Sequence, residues 1–568
     1  MSATIKGAAT ELGTERIRKL LMQYAVPAII AMTASSLYNM VDSIFIGHGV
    51  GPLAISGLAL TFPLMNLAAA FGSLVGVGAA TLVSMRLGQR DYQTAQNILG
   101  NVVVLNLIIG LAFGFTTLLL LDPILYFFGA SEATIGYARD YMSIILMGNV
   151  ITHMYLGLNS VLRASGHPRK SMYATIYTVV INAALDPLFI YGFGWGIRGA
   201  AIATVLAQII ALIWQFHILS DKSELLHFRR GIYRLRRKIV RDILAIGMSP
   251  FLMNLAACFI VILINKGLKQ YGGDLMIGAY GIVNRLAFFF VMIVMGINQG
   301  MQPIAGYNFG ARQYDRVLRV LRLTVIGATC VTGAGFLMGE LAPRLAVSAF
   351  TNDPELIRLA VEGMRIVFVC FPIIGFQMVA TNFFMSIGMA GKAIFLSLSR
   401  QLLFLMPGLI FLPHIFDVHT RWDGSWGVWC AMPLSDLMAS VVAFFMLVYQ
   451  LRKFRAQMDA ARSTNLQYCR LWKINSSSTS GANSVAAAKP SAKPSHNGSG
   501  SGSTTSSSST WPPSRAACVP RCSNGSTKKS RATSFRRSSP ICARRSSEAN
   551  MPGATCSATT PCSRSRAT

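Results

Sequence analysis

The chain has 568 residues, of which 53% are hydrophobic and 13% are charged, and its formal net charge is +29. Soluble domains carry about 25% charged residues, so this composition excludes a soluble enzyme and indicates a helical membrane protein. The positive charge does not indicate a nucleic-acid partner, because residues 459–568 hold 16 Lys and Arg against two acids and the rest lies mostly in loops.

Apolar runs recur from Tyr24 to Tyr449, and each is long enough to cross a hydrocarbon core of about 30 Å. The first run has no cleavage site behind it, so we interpret it as a span and not as a removable signal. We predict twelve spans, at 24–47, 54–83, 97–121, 135–162, 170–192, 196–219, 246–269, 276–303, 318–341, 358–388, 394–416 and 425–449.

Basic residues concentrate in alternate loops. The stretch 221–242 carries eight of them, whereas the loops 48–53 and 122–134 carry none. Cytoplasmic loops of membrane proteins are enriched in Lys and Arg. We therefore predict a multi-pass protein of the cell (inner) membrane with both termini in the cytoplasm.

The two halves of the chain resemble each other. RLGQRDY at 86–92 is similar to NFGARQY at 308–314, and SGHPRK ending at Lys170 is similar to IGMAGK ending at Lys392, both 222 residues apart. Each half holds six predicted spans, so the halves have the same orientation, which is typical of parallel-repeat transporters with a binding cavity between the lobes.

The fold class is therefore all-α, with twelve transmembrane helices in two parallel six-helix repeats. The predicted organisation is a cytoplasmic N-terminus (1–15), an N-lobe (16–220), a basic linker (221–242), a C-lobe (243–455) and a low-complexity tail (456–568). The tail is rich in Ser, Thr, Arg, Ala and Pro, so it is either disordered or an out-of-frame translation of the gene's end.

Asp42 lies inside the first apolar run. An ionised Asp at the bilayer centre costs about 2.5–3.5 kcal/mol on insertion scales and is usually functional. Tyr38 and Asn39 precede it by about one turn, so all three share a helix face.

The fifth span offers a second acid, because Asn182 and Asp186 are four residues apart on one face, and Thr204 follows in the sixth span. Pro187 would bend or end the helix there. If the two acids share a site, charge repulsion and desolvation favour the protonated form of one of them. Oxygen-only ligands would suit Na⁺ equally well.

The second half serves as an internal comparison. A shift of 223 places Asn265 at the position of Asp42, and a shift of 222 places Gly408 at that of Asp186. The repeated scaffold therefore does not require the two acids, which favours a functional role for them over a structural one.

Four segments together resemble the MATE family of multidrug and toxic-compound extrusion transporters, in its DinF/MepA-like branch. They are YNMVDSIFIGHGVG (38–51), RLGQRDYQTAQ (86–96), INAALDPLFIYGFGWGIRGAAIAT (181–204) and GMQPIAGYNFGARQYDR (300–316). The resemblance covers residues 15–455 and implies V-shaped lobes, no enzymatic activity, and export driven by H⁺ or Na⁺.

In that branch the coupling site lies in the first lobe, and the matching residues here are Asp42, Asn182, Asp186 and Thr204, with Asn39 and Tyr38 beside them. The resemblance implies no cofactor besides the coupling ion H⁺ or Na⁺ and no structural metal. The expected partners are cationic or amphipathic small molecules and the lipid bilayer, with no nucleic acid, and the protein is expected to be a monomer.

Met, aromatic and amide side chains in spans eight and ten have the chemistry that binds varied organic cations. The candidate substrate residues are Phe288, Met292, Gln299, Gln302, Gln377 and Asn382, and the candidate hinges are Pro27 and Pro187. A flippase for lipid-linked precursors and a dedicated metabolite exporter stay open as alternatives.

Overall fold

The structure, a computed structural model, describes residues 8–419 and 424–480, and this part of the chain contains helices and no strand. All of it belongs to one compact unit, Met1–Ala482. The predicted tail from residue 481 onward lies outside the described residues.

Nine helices make up the first half: α1 (Ala8–Thr14), α2 (Ile17–Gly49), α3 (Pro52–Gly88), α4 (Tyr92–Leu119), α5 (Leu121–Phe127), α6 (Ile135–Met147), α7 (Asn149–Ala164), α8 (Pro168–Pro187) and α9 (Gly196–Ser220). Eight helices follow: α10 (Arg237–Gly310), α11 (Tyr314–Leu341), α12 (Pro343–Ser348), α13 (Pro354–Phe368), α14 (Phe371–Ser386), α15 (Ala390–Leu398), α16 (Met406–His419) and α17 (Gly424–Ser480). Two π-helical segments, Leu188–Gly192 and Ser399–Leu405, interrupt spans five and eleven.

The predicted all-α class and the span count are confirmed. Ten described helices are long and apolar enough to cross a membrane, and two bent helix pairs bring the count to twelve. The helix α10 supplies spans seven and eight, because its backbone turns at Gly273 with a φ of 72°.

Two of the spans are broken, which the sequence did not predict. Span four bends by 55° between α6 and α7, and span ten bends by 51° between α13 and α14. The breaks fall at Gly148 and Cys370, 222 residues apart, so the two lobes share the same bend.

The repeat extends to individual backbone angles. Arg90 and Arg312 are the non-glycine residues of the described chain with positive φ, at 60° and 58°, a conformation uncommon outside glycine. Gly51 and Gly273, and likewise Gly166 and Gly388, also share positive φ at the same spacing. Equivalent positions in the two lobes therefore share a backbone conformation with positive φ.

Helix starts follow from local chemistry. The carboxylate of Asp91 accepts a hydrogen bond from the Thr94 backbone amide at 3.1 Å and caps α4. Asp353 caps α13 in the same way through Glu355. Such caps satisfy backbone donors that a first helical turn leaves unpaired.

The two lobes meet through their first two spans, because α10 packs on both α2 and α3. Gly88 lies against the Tyr307 carbonyl oxygen, and its repeat counterpart Gly310 lies against the Met85 carbonyl oxygen. The Gln302 amide reaches across to the Thr81 hydroxyl at 2.8 Å. The lobes are therefore in close contact at the end of the bundle that carries the basic loops.

The linker at residues 221–242 is hydrogen-bonded to the first lobe. Its residues up to Arg236 are irregular, and α10 begins at Arg237, inside the predicted linker range. The Asn101 side chain accepts from the Arg236 backbone amide at 3.0 Å and donates to the Arg234 carbonyl at 3.2 Å. At the other end of the chain, α17 runs past residue 456, where the tail was expected to begin, and ends at Ser480.

We predict that Gly88→Ala and Gly310→Ala each lower the temperature of thermal unfolding by several degrees. A methyl group at either position would collide with a backbone carbonyl of the other lobe, and overpacking costs about 1–3 kcal/mol. Thermal unfolding of the purified protein in detergent measures this effect.

Gly333→Ala is the matched control, because a methyl group there meets open space and Ala favours a helix more than Gly does. Equal melting temperatures for all three variants would contradict the close contact between the lobes.

Candidate ion-coupling site in the first lobe

The centre of the candidate site lies on α8. Asn182 and Asp186 occupy successive turns, and both side chains are buried, at 1% and 0% exposure. The α-helix ends at Pro187 and continues as the π-helical segment Leu188–Gly192. Because proline lacks an amide hydrogen and crowds the preceding turn, it accounts for the change of helix type beside the acid.

Asn182 connects the acid to span six. Its amide nitrogen donates to Asp186 Oδ1 at 3.1 Å and lies 3.3 Å from Thr204 Oγ1. Thr204 lies on α9, which packs against α8. One amide thus brings a carboxylate and a hydroxyl together inside the lobe.

Asp42 approaches from α2, which also packs on α8. Its side chain is 5% exposed, and its charge is close enough to act on the carboxyl group of Asp186. The structure therefore brings together four of the six predicted coupling residues: Asp42, Asn182, Asp186 and Thr204. The side chains of Tyr38 and Asn39 lie outside the described residues, although α2 carries their backbone.

Three oxygen atoms at this site have no hydrogen-bond partner among the described residues. They are Asp42 Oδ1, Asp186 Oδ2 and Asn182 Oδ1. A buried polar atom without a partner costs about 1–3 kcal/mol. A proton or a small cation placed among these oxygens would remove that cost.

Basic side chains do not offset the two acids in the part of the chain that the structure describes. The first-lobe ion pairs lie at the ends of the helices: Arg86 with Asp91, Arg139 with Asp122, Arg198 with Asp140, and Lys170 and His167 with Glu224. The two acids of the first lobe therefore have no ion-pair partner among the described residues.

In the second lobe, a basic side chain neutralises the buried acid. That acid, Asp436, accepts a hydrogen bond from Arg400 Nε at 2.5 Å, and the two form an ion pair. Arg400 was not among the predicted site residues, although a basic residue inside the predicted span 394–416 is a readable signal. The shared glycine register of 222 places Ile264, and not Asn265, opposite Asp42, so neither register provides an acid there.

The segment after Pro187 reaches α2 close to Asp42. Tyr191 in the π-helical segment donates its hydroxyl to the Phe45 carbonyl at 3.1 Å, less than one turn beyond the acid. The predicted hinge at Pro187 therefore lies where α8 and α2 are linked. The other predicted hinge, Pro27, lies inside α2, which is assigned as helix throughout.

The candidate substrate residues are spread over several environments. Gln299 and Gln302 point toward the first lobe, with Gln299 Nε2 3.3 Å from the Met32 sulfur. Gln377 and Asn382 bond within their own helix. Phe288 is exposed and Met292 is half-buried. Only the two glutamines of this set lie at the contact between the lobes.

Comparison with known proteins agrees with this architecture. The sequence model of the MatE family matches residues 27–188 and 248–410, one stretch in each lobe.

The chain belongs to the MATE family.

Among its relatives, the multidrug export protein MepA of Staphylococcus haemolyticus is 28% identical over 449 residues, which cover 78% of this chain and 96% of MepA. A solved MATE multidrug transporter, DinF-BH in complex with a dye, is 36% identical with a TM-score of 0.71, covering 78% of this chain and 97% of DinF-BH. A MATE crystal structure in a bent conformation gives a TM-score of 0.74 at 23% identity, covering 79% and 98%. The protein is therefore a multi-pass MATE transporter.

We predict opposite stability effects for the acids of the two lobes. Asp42→Asn and Asp186→Asn are expected to leave the unfolding temperature unchanged or raise it, because each removes a buried charge without a basic partner. Asp436→Asn is expected to lower the unfolding temperature, because it leaves the Arg400 guanidinium without its acidic partner. The loss of stability is on the order of 2 kcal/mol, below that of a fully buried pair, because Arg400 is partly exposed.

Thermal unfolding at neutral pH, with Arg400→Met/Asp436→Leu as the variant that removes both charges, measures the difference. Equal decreases in unfolding temperature for Asp42→Asn, Asp186→Asn and Asp436→Asn would contradict this predicted difference between the two lobes.

Proposed function

We propose that this MATE transporter exports amphipathic organic cations and related drugs in exchange for H⁺ or Na⁺. The observation that carries the proposal is the pair of buried acids on α2 and α8, which have unpaired oxygens and no basic partner within the described chain. Intramembrane acids of this kind are typical of ion and proton pathways.

The relatives support the substrate class. MepA is named a multidrug export protein, and DinF-BH, at 36% identity, was solved in complex with a dye. Each of them matches 78% of this chain. We infer that this chain also transports small, drug-like molecules and that Gln299 and Gln302, at the contact between the lobes, help to bind them.

Either coupling ion fits the donor set. A proton would bind an unpaired carboxylate oxygen, Asp42 Oδ1 or Asp186 Oδ2, and would remove the repulsion between the two charges. Na⁺ prefers oxygen ligands, and carboxylates, the Asn182 carbonyl and the Thr204 hydroxyl are all oxygens. In both cases the bound ion satisfies groups that are otherwise buried without partners.

Ion binding is expected to change the packing of α2 on α8. Asp42 and Asp186 repel each other when both are ionised and stop doing so when an ion binds, so the bound state favours closer helices. The π-helical segment after Pro187, which touches α2 through Tyr191, is where that change would be absorbed. The contacts at Gly88 and Gly310 would separate when the lobes open toward the basic-loop side.

The driving force is sufficient for export. A membrane potential supplies about 2.3 kcal/mol per charge for each 100 mV, which is more than a tenfold concentration ratio at about 1.4 kcal/mol per decade. Exchange of a monovalent cation for one H⁺ moves no net charge, so such a cycle would depend on the pH difference alone.

We also propose that the protein lies in the inner membrane as a monomer, with both termini in the cytoplasm.

We predict that Asp42→Asn and Asp186→Asn each reduce dye transport in everted vesicles to the level of vesicles without the protein. The amide keeps the size of the side chain and removes the ionisable group. Fluorescence of a cationic dye under an imposed pH gradient, and separately under a Na⁺ gradient, measures transport and identifies the ion.

Glu340→Gln in the second lobe is the control and should transport as the wild type does, because Glu340 lies at the end of α11 away from the paired acids. Wild-type rates in either aspartate variant would contradict the proposal. Transport of a phosphate-bearing lipid precursor without any dye transport would instead favour a flippase.

A further inference from the structure

A polar stripe runs along the whole of span five. It consists of His167, Ser171, Thr175, Thr178, Asn182 and Asp186. The spacing of three or four residues places all six on one face of α8 and its first cap. The stripe therefore leads from the candidate coupling site to the end of the span that carries basic loops.

The stripe faces the interior of the lobe. Ser171, Thr175, Asn182 and Asp186 are buried, and His167 and Thr178 are half-buried. Polar side chains inside an apolar bundle are costly unless they are hydrogen-bonded. The Thr175 and Thr178 hydroxyls bond to carbonyls of their own helix, Ser171 O at 3.4 Å and Ala174 O at 3.0 Å. The contacts that reach beyond α8 are therefore the ones that bear on a role for the row.

Span four supplies a second row of donors beside the stripe. The Tyr155 hydroxyl lies 3.5 Å from Thr175 Oγ1, and the Asn159 amide donates to the same oxygen at 3.2 Å. The Thr175 hydroxyl, in the middle of the stripe, is thus connected to two side chains of span four.

The stripe ends at an acid–base cluster outside the membrane span. His167 Nε2 lies 3.0 Å from one oxygen of Glu224, and Lys170 donates to the other at 2.7 Å. Ser165 also reaches the His167 ring, at 3.4 Å. Burial lowers the pKa of His167, while the charge of Glu224 partly opposes that shift.

The second lobe lacks this row. The positions 222 residues further on are occupied by Met389, Ala393, Ser397, Arg400, Phe404 and Gly408. The same helix in the same fold therefore forms without a polar stripe. As with the two acids, the repeated architecture does not require these residues.

We propose that the span-five stripe carries protons between Asp186 and cytoplasmic water, and that His167 and Glu224 form its cytoplasmic end. The inference rests on the proposed function in its proton-coupled form. Side chains four residues apart on a helix are separated by about 6 Å, a distance that one water bridges with two hydrogen bonds. The proton leaves the Asp186 carboxyl group to a short file of waters beside Asn182, whose amide orients them and itself carries no proton. Each water or hydroxyl then accepts one proton and donates another, and the last proton passes through His167 or Glu224 to solvent.

Thr175→Val tests the route, because it removes the central hydroxyl at nearly constant volume. In proteoliposomes, proton release driven by a cationic dye is expected to be on the order of tenfold slower, equivalent to about 1.4 kcal/mol of barrier, with a larger slowing in D₂O than the wild type shows. Dye binding to the detergent-purified variant should not change. Thr175→Ser restores a hydroxyl and is expected to restore the rate.

Thr332→Val in span nine is the matched control. Its hydroxyl is buried and bonds only to carbonyls of its own helix among the described residues, so the rate should equal that of the wild type. Glu224→Gln is a second variant, which changes only the cytoplasmic end of the route, and it should also slow proton release.

Wild-type proton release from both Thr175→Val and Glu224→Gln, in a protein that does couple to protons, would overturn the pathway and leave the proposed function intact. Wild-type transport that follows Na⁺ and ignores pH would overturn the pathway together with proton coupling. A Thr175→Ser variant as slow as Thr175→Val would show that the position matters for packing and would also overturn the route.

Discussion

The first lobe depends on how it holds two carboxyl groups inside an apolar bundle. Asp42 and Asp186 lie on packed helices without a basic partner among the described residues, and the Asn182 amide bonds to only one carboxyl oxygen. An arrangement that leaves buried oxygens unpaired is poor for stability and useful for binding an ion reversibly. The second lobe shows the alternative, because Arg400 neutralises Asp436 there. Among the described residues, the same fold therefore contains one buried acid that is neutralised by an ion pair and two buried acids that are not.

The internal repeat acts as a built-in comparison. Equivalent loops share unusual backbone angles, and equivalent spans break at Gly148 and Cys370, so these features belong to the architecture of both lobes. The acids and the polar stripe of span five occur in one lobe only, which separates them from the architecture. The helix α2 packs both on α8 and on α10 of the other lobe. In the proposed mechanism, a small shift between α2 and α8 on ion binding would therefore reach the contact between the lobes.

The sequence was sufficient for the features that have strong local signals. Long apolar runs indicate spans, a charge inside such a run is conspicuous, and two similar loops at one spacing reveal the repeat. The breaks in spans four and ten were not predictable, because Gly and Pro are common in membrane helices and the close approach of Val205 to Gly148 at the first break is visible only in the folded lobe. The pairing of Arg400 with Asp436 joins residues from two spans, and only the folded lobe shows that they meet. The stripe on α8 was readable from its spacing, but its burial against span four was not.

Infrared spectroscopy of the purified protein tests the central claim most directly, because a protonated carboxyl group in an apolar environment has a carbonyl stretching band separate from those of carboxylates. We expect such a band at neutral pH in the absence of Na⁺, weakened in Asp42→Asn or Asp186→Asn and unchanged in Glu340→Gln. If Na⁺ is the coupling ion, its addition should remove the band, and if H⁺ is the coupling ion, the band should persist. An identical spectrum for the wild type and both aspartate variants, with no response to pH or Na⁺, would contradict the account.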